Sequence, residues 1–410
     1  MTTPSDASRA HVTSLTCAWL GLAPGTDVPV MPDALARRLL RVEELEHSHR
    51  DQWGNWEFGF CEAYREGRLW EPDVDRWLDD RRRELGAAHR APWPDDRPFA
   101  ICLSHDVDLI SDAVTPGQAL RSMRLALLGG DRSRRDRVVR LARPGVRAAR
   151  AARHGLSTAP AADSLERCLD IEKQNEVTAT YFFTAYPGRD GHRFDCAYDF
   201  GDRCRFGGIE TTVADVVRTI DRGGFEVGLH GSYNSALVPG RLAAEKTALE
   251  QATGLSVAST RQHFLHWDIR ATPPLHAGAG FSADSTLGFN RNIGLRSGTS
   301  LPFRLFDFER GHAVGPVELP IVVSDPALIR EDALELGLEL ARETLRAMLD
   351  RIADVAGVAT VVFHPNNLEQ PDYLRLFEDV IAYGRERGAW FASVAELDAW
   401  FRAREAGQPA

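Results

Sequence analysis

The stretch Phe99–Asp108, FAICLSHDVD, decides how the rest of the chain is interpreted. An apolar run ends in a histidine followed by two aspartates, Asp106 and Asp108, which are two residues apart. Residues i and i+2 of an extended segment point to the same side, and isolated carboxylates are costly to bury. The stretch therefore predicts a buried strand whose end carries either a metal ligand or two carboxylates that share acid–base work.

Beyond this strand, short apolar runs alternate with helical patterns up to the C-terminus. The predicted strands include TATYFFTA, FEVGLH, VATVVFH and WFASV, and the predicted helices cover residues 164–175, 212–222, 334–355 and 373–387. Nearly continuous apolar strands between helices are typical of parallel strands covered on both faces. Repeated β-α units of this length favour a closed or nearly closed barrel. We therefore predict an α/β fold, a distorted (β/α)7-type barrel over residues 98–402, followed by a tail at 403–410.

Residues 1–97 are predicted to form an accessory region that is mostly helical. This region contains six of the nine tryptophans and ends in the proline-rich segment APWPDDRP. Tryptophans here could form a sugar-stacking surface, but packing against the barrel is the more common role and is favoured. The N-terminal residues lack the pattern of a secretory signal, and no window has the roughly 18 apolar residues of a membrane span. We therefore expect a cytoplasmic protein.

An arginine-rich insertion at 115–160 interrupts the predicted barrel. Residues 121–153 carry eleven arginines and no lysine. One interpretation is a solvated helical excursion. The other is a basic lid that binds phosphate groups or makes peripheral contact with an anionic membrane surface.

Composition excludes several other classes of protein. The chain has 410 residues, a hydrophobic content of 43% and a formal charge of −10, which gives no support for nucleic-acid binding. Six cysteines without paired CxxC spacing argue against a disulfide framework or a thiolate zinc site. A disulfide between Cys196 and Cys204 is not expected.

Polar residues recur where successive predicted strands end. They are Asp106 and Asp108, then His230 and Asn234, then Arg261, His263 and His266, then Asp325, and finally His364. In an α/β barrel all the carboxyl ends of the strands face one mouth, so these side chains can converge there. Each residue alone is a weak signal, whereas several such strand endings in order predict an active site.

These segments resemble the motifs of the polysaccharide deacetylase superfamily, the metal-dependent carbohydrate esterases that include chitin and peptidoglycan deacetylases. LSHDVD is similar to the aspartate-bearing first motif and EVGLHGSYNS to the second. RQHFL, Asp325 and FHP stand where the third, fourth and fifth motifs are expected. The resemblance covers roughly Phe99 to Phe401, and its strength lies in the order and strand context of the motifs.

The resemblance implies a role for each matched residue. Asp106 would be the general base that activates water, and His364 the general acid that protonates the leaving amine. Arg261 and Asp325 would hold the base and the acid. Asp108 and His230 would bind a divalent metal, and imidazole with carboxylate suits zinc.

The departure from the family pattern lies at the third metal ligand. The family's second motif has two histidines four residues apart, whereas this chain has His230 and Asn234. We predict the ligand set Asp108, His230 and Asn234, with Asn234 binding directly or through water. Two alternatives stay open: His263 could supply the missing nitrogen, or the metal could be weakly bound or absent.

The resemblance implies a carbohydrate deacetylase, a hydrolase of non-peptide carbon–nitrogen bonds that removes an N-acyl group, most simply acetyl, from an amino sugar. The expected substrate is an amino sugar in a sugar nucleotide, a lipid-linked sugar or another glycan precursor. A deformylase acting on a lipid-linked amino sugar is one alternative. The other is a non-catalytic carbohydrate-binding or scaffold protein that has kept the barrel.

Overall fold

The computed structural model of the chain describes residues 5–86, 93–111, 115–128, 159–188 and 191–408. Residues 129–158, most of the arginine-rich insertion, lie outside the described residues, so both interpretations of that segment stay predictions. The helix Pro116–Leu128 at its start is described.

One large sheet organises the molecule. Its strands are β1 (Ala100–Val107), β2 (Thr180–Thr184), β5 (Glu226–Gly231), β6 (Ser259–Gln262), β7 (Ala283–Asp284), β8 (Phe303–Asp307), β9 (His312–Glu318), β10 (Ile321–Ser324), β11 (Val358–Phe363) and β12 (Trp390–Phe391). The path runs β10-β11-β1-β2-β5-β6-β7-β9-β8, and β12 pairs with β1. A separate hairpin joins β3 (Arg203–Phe206) to β4 (Ile209–Thr212).

The sheet is parallel except at one end, where β8 and β9 form an antiparallel pair. Every residue of β1 and of β11 is buried, as expected for parallel strands that are covered on both faces. The predicted α/β class is therefore confirmed. Among the described strands, nine form an open, curled half-barrel along this path. This differs from the seven β-α units that the sequence predicts.

Helices alternate with the strands along the chain. The helices after β1 are Pro116–Leu128, Asp163–Gln174, Val213–Arg222, Arg241–Thr253, Thr272–Gly278, Asp325–Ile329, Leu338–Asp354, Pro371–Glu386 and Val394–Glu405. The helix Val213–Arg222 begins as predicted, since the hydroxyl of Thr212 accepts a hydrogen bond from the Asp215 amide. None of the described helices combines the length and the apolarity that a membrane span requires.

The N-terminal helices pack against the sheet. They are Asp6–Leu20, Asp33–Leu39, Glu43–Glu46, Glu62–Arg65 and Asp73–Leu85. Trp19 is fully buried and its indole donates to the Pro302 carbonyl over 2.7 Å. Arg296 donates two 2.8 Å hydrogen bonds to the carboxylate of Glu44, and both side chains are buried. Trp19 therefore packs against the sheet, while the accessory region at 1–97 as a separate unit stays a prediction.

Candidate active site

The carboxyl ends of neighbouring strands bring five of the predicted residues into one cluster. Asp106 is the last residue but one of β1 and Asp108 directly follows the strand. His230 lies in β5, Arg261 in β6 and His364 directly after β11. The Nε2 atom of His364 lies 3.9 Å from an oxygen of Asp106 and 3.9 Å from an oxygen of Asp108. His230 Nε2 lies 3.8 Å from Asp106 Oδ2.

Arg261 fixes the orientation of Asp106 through a hydrogen bond to one of its two carboxylate oxygens. Its buried guanidinium donates to Asp106 Oδ1 at 2.8 Å and to the hydroxyl of Ser104 at 3.0 Å. It also donates to the carbonyl of Ser285 at 2.6 Å and to the Ser285 hydroxyl at 2.8 Å. The ring of Phe182 lies 4.4 Å from the guanidinium carbon. Every nitrogen of the guanidinium thus has an acceptor, which is what a buried arginine requires.

The surroundings of Asp106 favour its ionised form. Burial by itself raises the pKa of this carboxyl, but nearby positive charges, that of Arg261 first among them, together outweigh burial and lower the pKa below its ordinary value. His230 and His364 act in the same direction. Only Oδ1 is engaged by Arg261, so Oδ2 faces the two histidines and is placed to accept a proton.

Asp325 holds His364 in one orientation. Asp325 is fully buried, and its Oδ1 lies 2.7 Å from His364 Nδ1. Its second oxygen accepts from the His364 amide at 3.2 Å and from the side chain of Asn367 at 2.8 Å. Because the carboxylate retains the proton on Nδ1, the Nε2 atom faces the two aspartates. Burial lowers the pKa of His364, but the charges of Asp325, Asp108 and Asp106 outweigh it and raise the pKa to about 10.

The Nε2 atom of His230 faces Asp108 and has no hydrogen-bond partner. Its Nδ1 lies 3.0 Å from the Arg261 carbonyl and must donate to it, which leaves Nε2 with a lone pair when the ring is neutral. That Nε2 is buried, has no hydrogen-bond partner, and lies 3.4 Å from Asp108 Oδ1. Two electron-pair donors facing each other in this way are the arrangement that a cation stabilises.

His263 approaches the same oxygen of Asp108. It follows β6, and its Nε2 lies 3.5 Å from Asp108 Oδ1. Burial lowers the pKa of His263, but the charge and contact of Asp108, together with the charges of Asp195 and Asp106, outweigh burial and raise the pKa. Burial also acts to raise the pKa of Asp108, but His263 and His230 keep it well below its ordinary value.

Asp108 has metal-ligand spacing to each of two imidazoles, His230 and His263. Ligand atoms about 2.0–2.2 Å from a tetrahedral zinc lie about 3.3–3.6 Å from one another. The 3.4 and 3.5 Å separations from Asp108 Oδ1 to the two imidazoles fall in that range. Asn234 lies in the 3-10 turn Tyr233–Ala236 after β5, and its predicted role as a ligand stays a prediction.

One residue near this cluster was not indicated by the sequence. The ligand atoms of Asp108, Cys196 and His263 all lie within 4.8 Å of one another, a spacing from which they could bind one metal ion. The thiol of Cys196 lies 3.8 Å from Asp108 Oδ1. No second cysteine stands three residues from Cys196 in the sequence, and Cys196 is 88 residues from Asp108. No local sequence pattern therefore predicts the contact.

His105 belongs to a different cluster, although it is next to Asp106 in sequence. It is fully buried, and its Nε2 lies 2.6 Å from a carboxylate oxygen of Glu172. The hydroxyl of Tyr181 donates to the other oxygen of Glu172 at 2.5 Å. Cys168 completes a group with metal-ligand spacing, but the 2.6 Å separation is that of a hydrogen bond and is too short for two ligands of one zinc ion.

Comparisons of sequence identify no relative: no family model matches the chain, and no curated protein matches it. Comparison of structures does find similar proteins. A Mycobacterium smegmatis protein assigned to the polysaccharide deacetylases has a TM-score of 0.48 and 20% identity, over 76% of this chain and 93% of that chain. The Puue allantoinase has a TM-score of 0.47 and 15% identity, over 77% of this chain and 94% of that chain.

A family 4 carbohydrate esterase from Streptomyces lividans, solved in complex with acetate, has a TM-score of 0.34 and 9% identity. That match covers 72% of this chain and 92% of the esterase. The similar structures include a protein assigned to the polysaccharide deacetylases and a family 4 carbohydrate esterase.

Proposed function

We propose that the chain is a metal-dependent hydrolase that removes an N-acyl group, most simply acetyl, from an amino sugar. The observation that carries this proposal is the placement of Asp106 and His364 around Asp108. Each of the first two is held by its own buried partner, Arg261 or Asp325. A base and an acid kept in fixed orientations beside metal-binding side chains are the groups that amide hydrolysis requires.

Asp108, His230 and His263 would hold the metal. His263 is preferred to the predicted Asn234 because its Nε2 lies 3.5 Å from the oxygen of Asp108 that His230 also approaches. A bound divalent ion would polarise the acyl carbonyl and increase the acidity of a water molecule. Separate Asn234→Ala and His263→Ala variants, each measured for bound zinc, test this choice. We expect the His263 variant to lose metal and the Asn234 variant to keep it.

The side chains of the chain would then move two protons. Asp106 Oδ2 accepts a proton from the attacking water as its oxygen bonds to the acyl carbon. His364 Nε2, with its ring fixed by Asp325, donates a proton to the amide nitrogen as the carbon–nitrogen bond breaks. The products are a free amine and a carboxylic acid, which together contain all the atoms of the water, and transfer of the proton from Asp106 to His364 restores the starting protonation states. Arg261 and Asp325 act as positioning residues.

Release of acid from a substrate panel tests the function. The zinc-loaded chain would be incubated with N-acetyl and N-formyl amino sugars, sugar nucleotides, lipid-linked sugars and oligosaccharides, and released acetate and formate would be measured. We expect acetate release, loss of it on chelation and at least a hundredfold decrease in rate for Asp106→Asn.

The matched control is Asp221→Asn, which changes an exposed aspartate near the end of the helix Val213–Arg222 and should leave the rate unchanged. Release of formate alone would assign the deformylase alternative. Release of neither acid, with any substrate or divalent metal, would contradict hydrolysis and leave the non-catalytic carbohydrate-binding alternative.

A further inference from the structure

The thiol of Cys196 lies in a polar setting at the candidate metal centre. Its Sγ is 3.8 Å from Asp108 Oδ1, and the ligand atoms of Cys196, Asp108 and His263 all lie within 4.8 Å of one another. Many buried cysteines pack as small apolar side chains. Cys196 differs because a carboxylate and an imidazole flank its sulfur.

A second observation points to a cation at this place. His230 is almost completely buried, and its Nε2 has no hydrogen-bond partner although it lies 3.4 Å from Asp108 Oδ1. A buried nitrogen without a partner destabilises the folded chain, and a bound metal would offset this cost. The oxygen of Asp108 is therefore approached by two imidazoles and a thiol, all of which are metal-ligand types.

We propose that Cys196 is a ligand of the metal centre, and that its thiolate binds the ion together with Asp108, His263 and His230. This inference rests on the metal-dependent function proposed above. A zinc ion with a Zn–S bond of about 2.3 Å and a Zn–O bond of about 2.0–2.2 Å separates sulfur from oxygen by about 3.5–3.7 Å. The 3.8 Å between Cys196 and Asp108 is close to that value. On binding, the thiol proton is released to solvent.

The segment around Cys196 is anchored on both sides. Asp195 accepts hydrogen bonds from the Tyr233 amide at 2.7 Å and from the His192 amide at 2.6 Å. The hydroxyl of Tyr198 donates to the Val107 carbonyl at 2.8 Å. Because Val107 immediately precedes Asp108, the same hydrogen bond ties the thiol segment to the end of β1. Such support is what holds a ligand in position before metal binds.

A thiolate ligand has two chemical consequences. Thiolate is a soft ligand, so the centre should prefer zinc or cobalt over magnesium, calcium or manganese. A further protein ligand would also leave fewer positions on the ion for water and the acyl oxygen.

Cobalt substitution tests the proposal on the full chain. Thiolate bound to cobalt(II) gives an intense charge-transfer absorption in the near ultraviolet, which imidazole and carboxylate do not give. We expect this band in the wild-type chain and its loss in Cys196→Ser. We also expect at least a tenfold increase in the dissociation constant for zinc in that variant. The matched control is Cys204→Ser, since Cys204 is also buried but lies in β3 and outside the ligand group.

X-ray absorption of the zinc-loaded wild-type chain gives a second measurement that needs no variant to fold. A sulfur at about 2.3 Å from zinc supports the proposal. Stoichiometric metal with only nitrogen and oxygen neighbours, and no charge-transfer band, overturns the thiolate ligand but not the hydrolase, which acid release tests separately. Failure of the wild-type chain to bind zinc or cobalt overturns the thiolate ligand and metal dependence together.

Discussion

Arg261 links three segments of the chain at the level of single atoms. Its guanidinium reaches Ser104 and Asp106 in β1 and Ser285 just after β7. A lysine ammonium group cannot replace these planar, spread-out N–H donors, because its three donors all lie on one nitrogen. The geometry of Asp106 therefore depends on an arginine here and not only on a positive charge.

We expect Arg261→Lys to lower kcat about a hundredfold, because a base displaced by about 1 Å loses that much rate. The free energy of unfolding should also decrease by about 2–4 kcal/mol, since buried acceptors lose their donors. Steady-state kinetics and urea unfolding measure the two effects. Arg203→Lys, at an exposed arginine of β3, should change the free energy of unfolding by less than about 0.5 kcal/mol. Equal effects of the two substitutions would contradict the positioning role of Arg261.

The sequence predicts the residues that end strands better than those that lie in loops. Asp106, Arg261 and His364 could be predicted to converge because parallel strands end at the same edge of a sheet. His263 could be named only as an alternative ligand, since the corner that directs it follows β6 and has no periodic pattern. Cys196 could not be predicted, because hydrogen bonds to Val107 and Tyr233 determine where its loop lies.

The corner after β6 is an element whose backbone is strained. Phe264 and Leu265 have φ values of 57° and 50°, a region that residues with a side chain rarely occupy. Each such residue costs on the order of 1–3 kcal/mol and persists only where neighbours impose it. The side chains of Asn55 and Asn290 both donate to the Phe264 carbonyl, at 2.8 and 2.7 Å. These two amides hold the corner that carries His263.

We expect Asn55→Ala to weaken zinc binding at least threefold and to lower the free energy of unfolding by about 1–3 kcal/mol. The side-chain oxygen of Asn55 also accepts a hydrogen bond from the Trp267 backbone N–H at 3.0 Å. The substitution therefore removes support on both sides of the corner. Isothermal titration with zinc and urea unfolding measure these changes.

Asn290→Ala is the matched comparison, since Asn290 lies outside the N-terminal region but donates to the same carbonyl. If both single variants bind zinc as the wild type does, the corner does not position His263. If the double variant loses more than the sum of the two, the two amides act together.

At the scale of elements, periodic segments were predicted more accurately than sheet closure. The predicted helix 373–387 corresponds to Pro371–Glu386, and the strand FEVGLH corresponds to Glu226–Gly231. The helix predicted from residue 334 begins instead at Leu338. The antiparallel pair β8–β9 was not predicted, because apolar alternation does not show which strand a segment will pair with.

At the scale of the whole molecule, the N-terminal residues share a hydrophobic cluster with the sheet. This cluster contains Trp19 and Leu39 together with Phe303 of β8 and Phe401 of the last helix. His11, on the helix Asp6–Leu20, lies in the same interface and contacts the Arg304 carbonyl through Nε2 at 2.9 Å. Docking of the first helix therefore buries a histidine.

Burial of His11 should make folding depend on pH. Burial lowers the pKa of His11 to about 4, although the Arg304 carbonyl and the Glu405 carboxylate act in the opposite direction. The unfolded chain takes up a proton near pH 6.5, whereas the folded chain does so only near pH 4. The unfolded state thus binds more protons between these values, so the folded state loses stability as the pH falls through that window.

We expect this histidine to contribute about 2 kcal/mol to the decrease in the free energy of unfolding between pH 7 and pH 5. His11→Gln retains a side-chain donor for the Arg304 carbonyl but cannot titrate, so its free energy of unfolding should decrease by about 2 kcal/mol less over the same interval. Urea unfolding at both pH values measures the difference. His312→Gln, at an exposed histidine of β9, should keep the wild-type dependence. If His11→Gln also keeps the wild-type pH dependence, the docked first helix does not hold His11 neutral. The interface between the N-terminal helices and the sheet would then have to open at a higher pH than the burial of His11 implies.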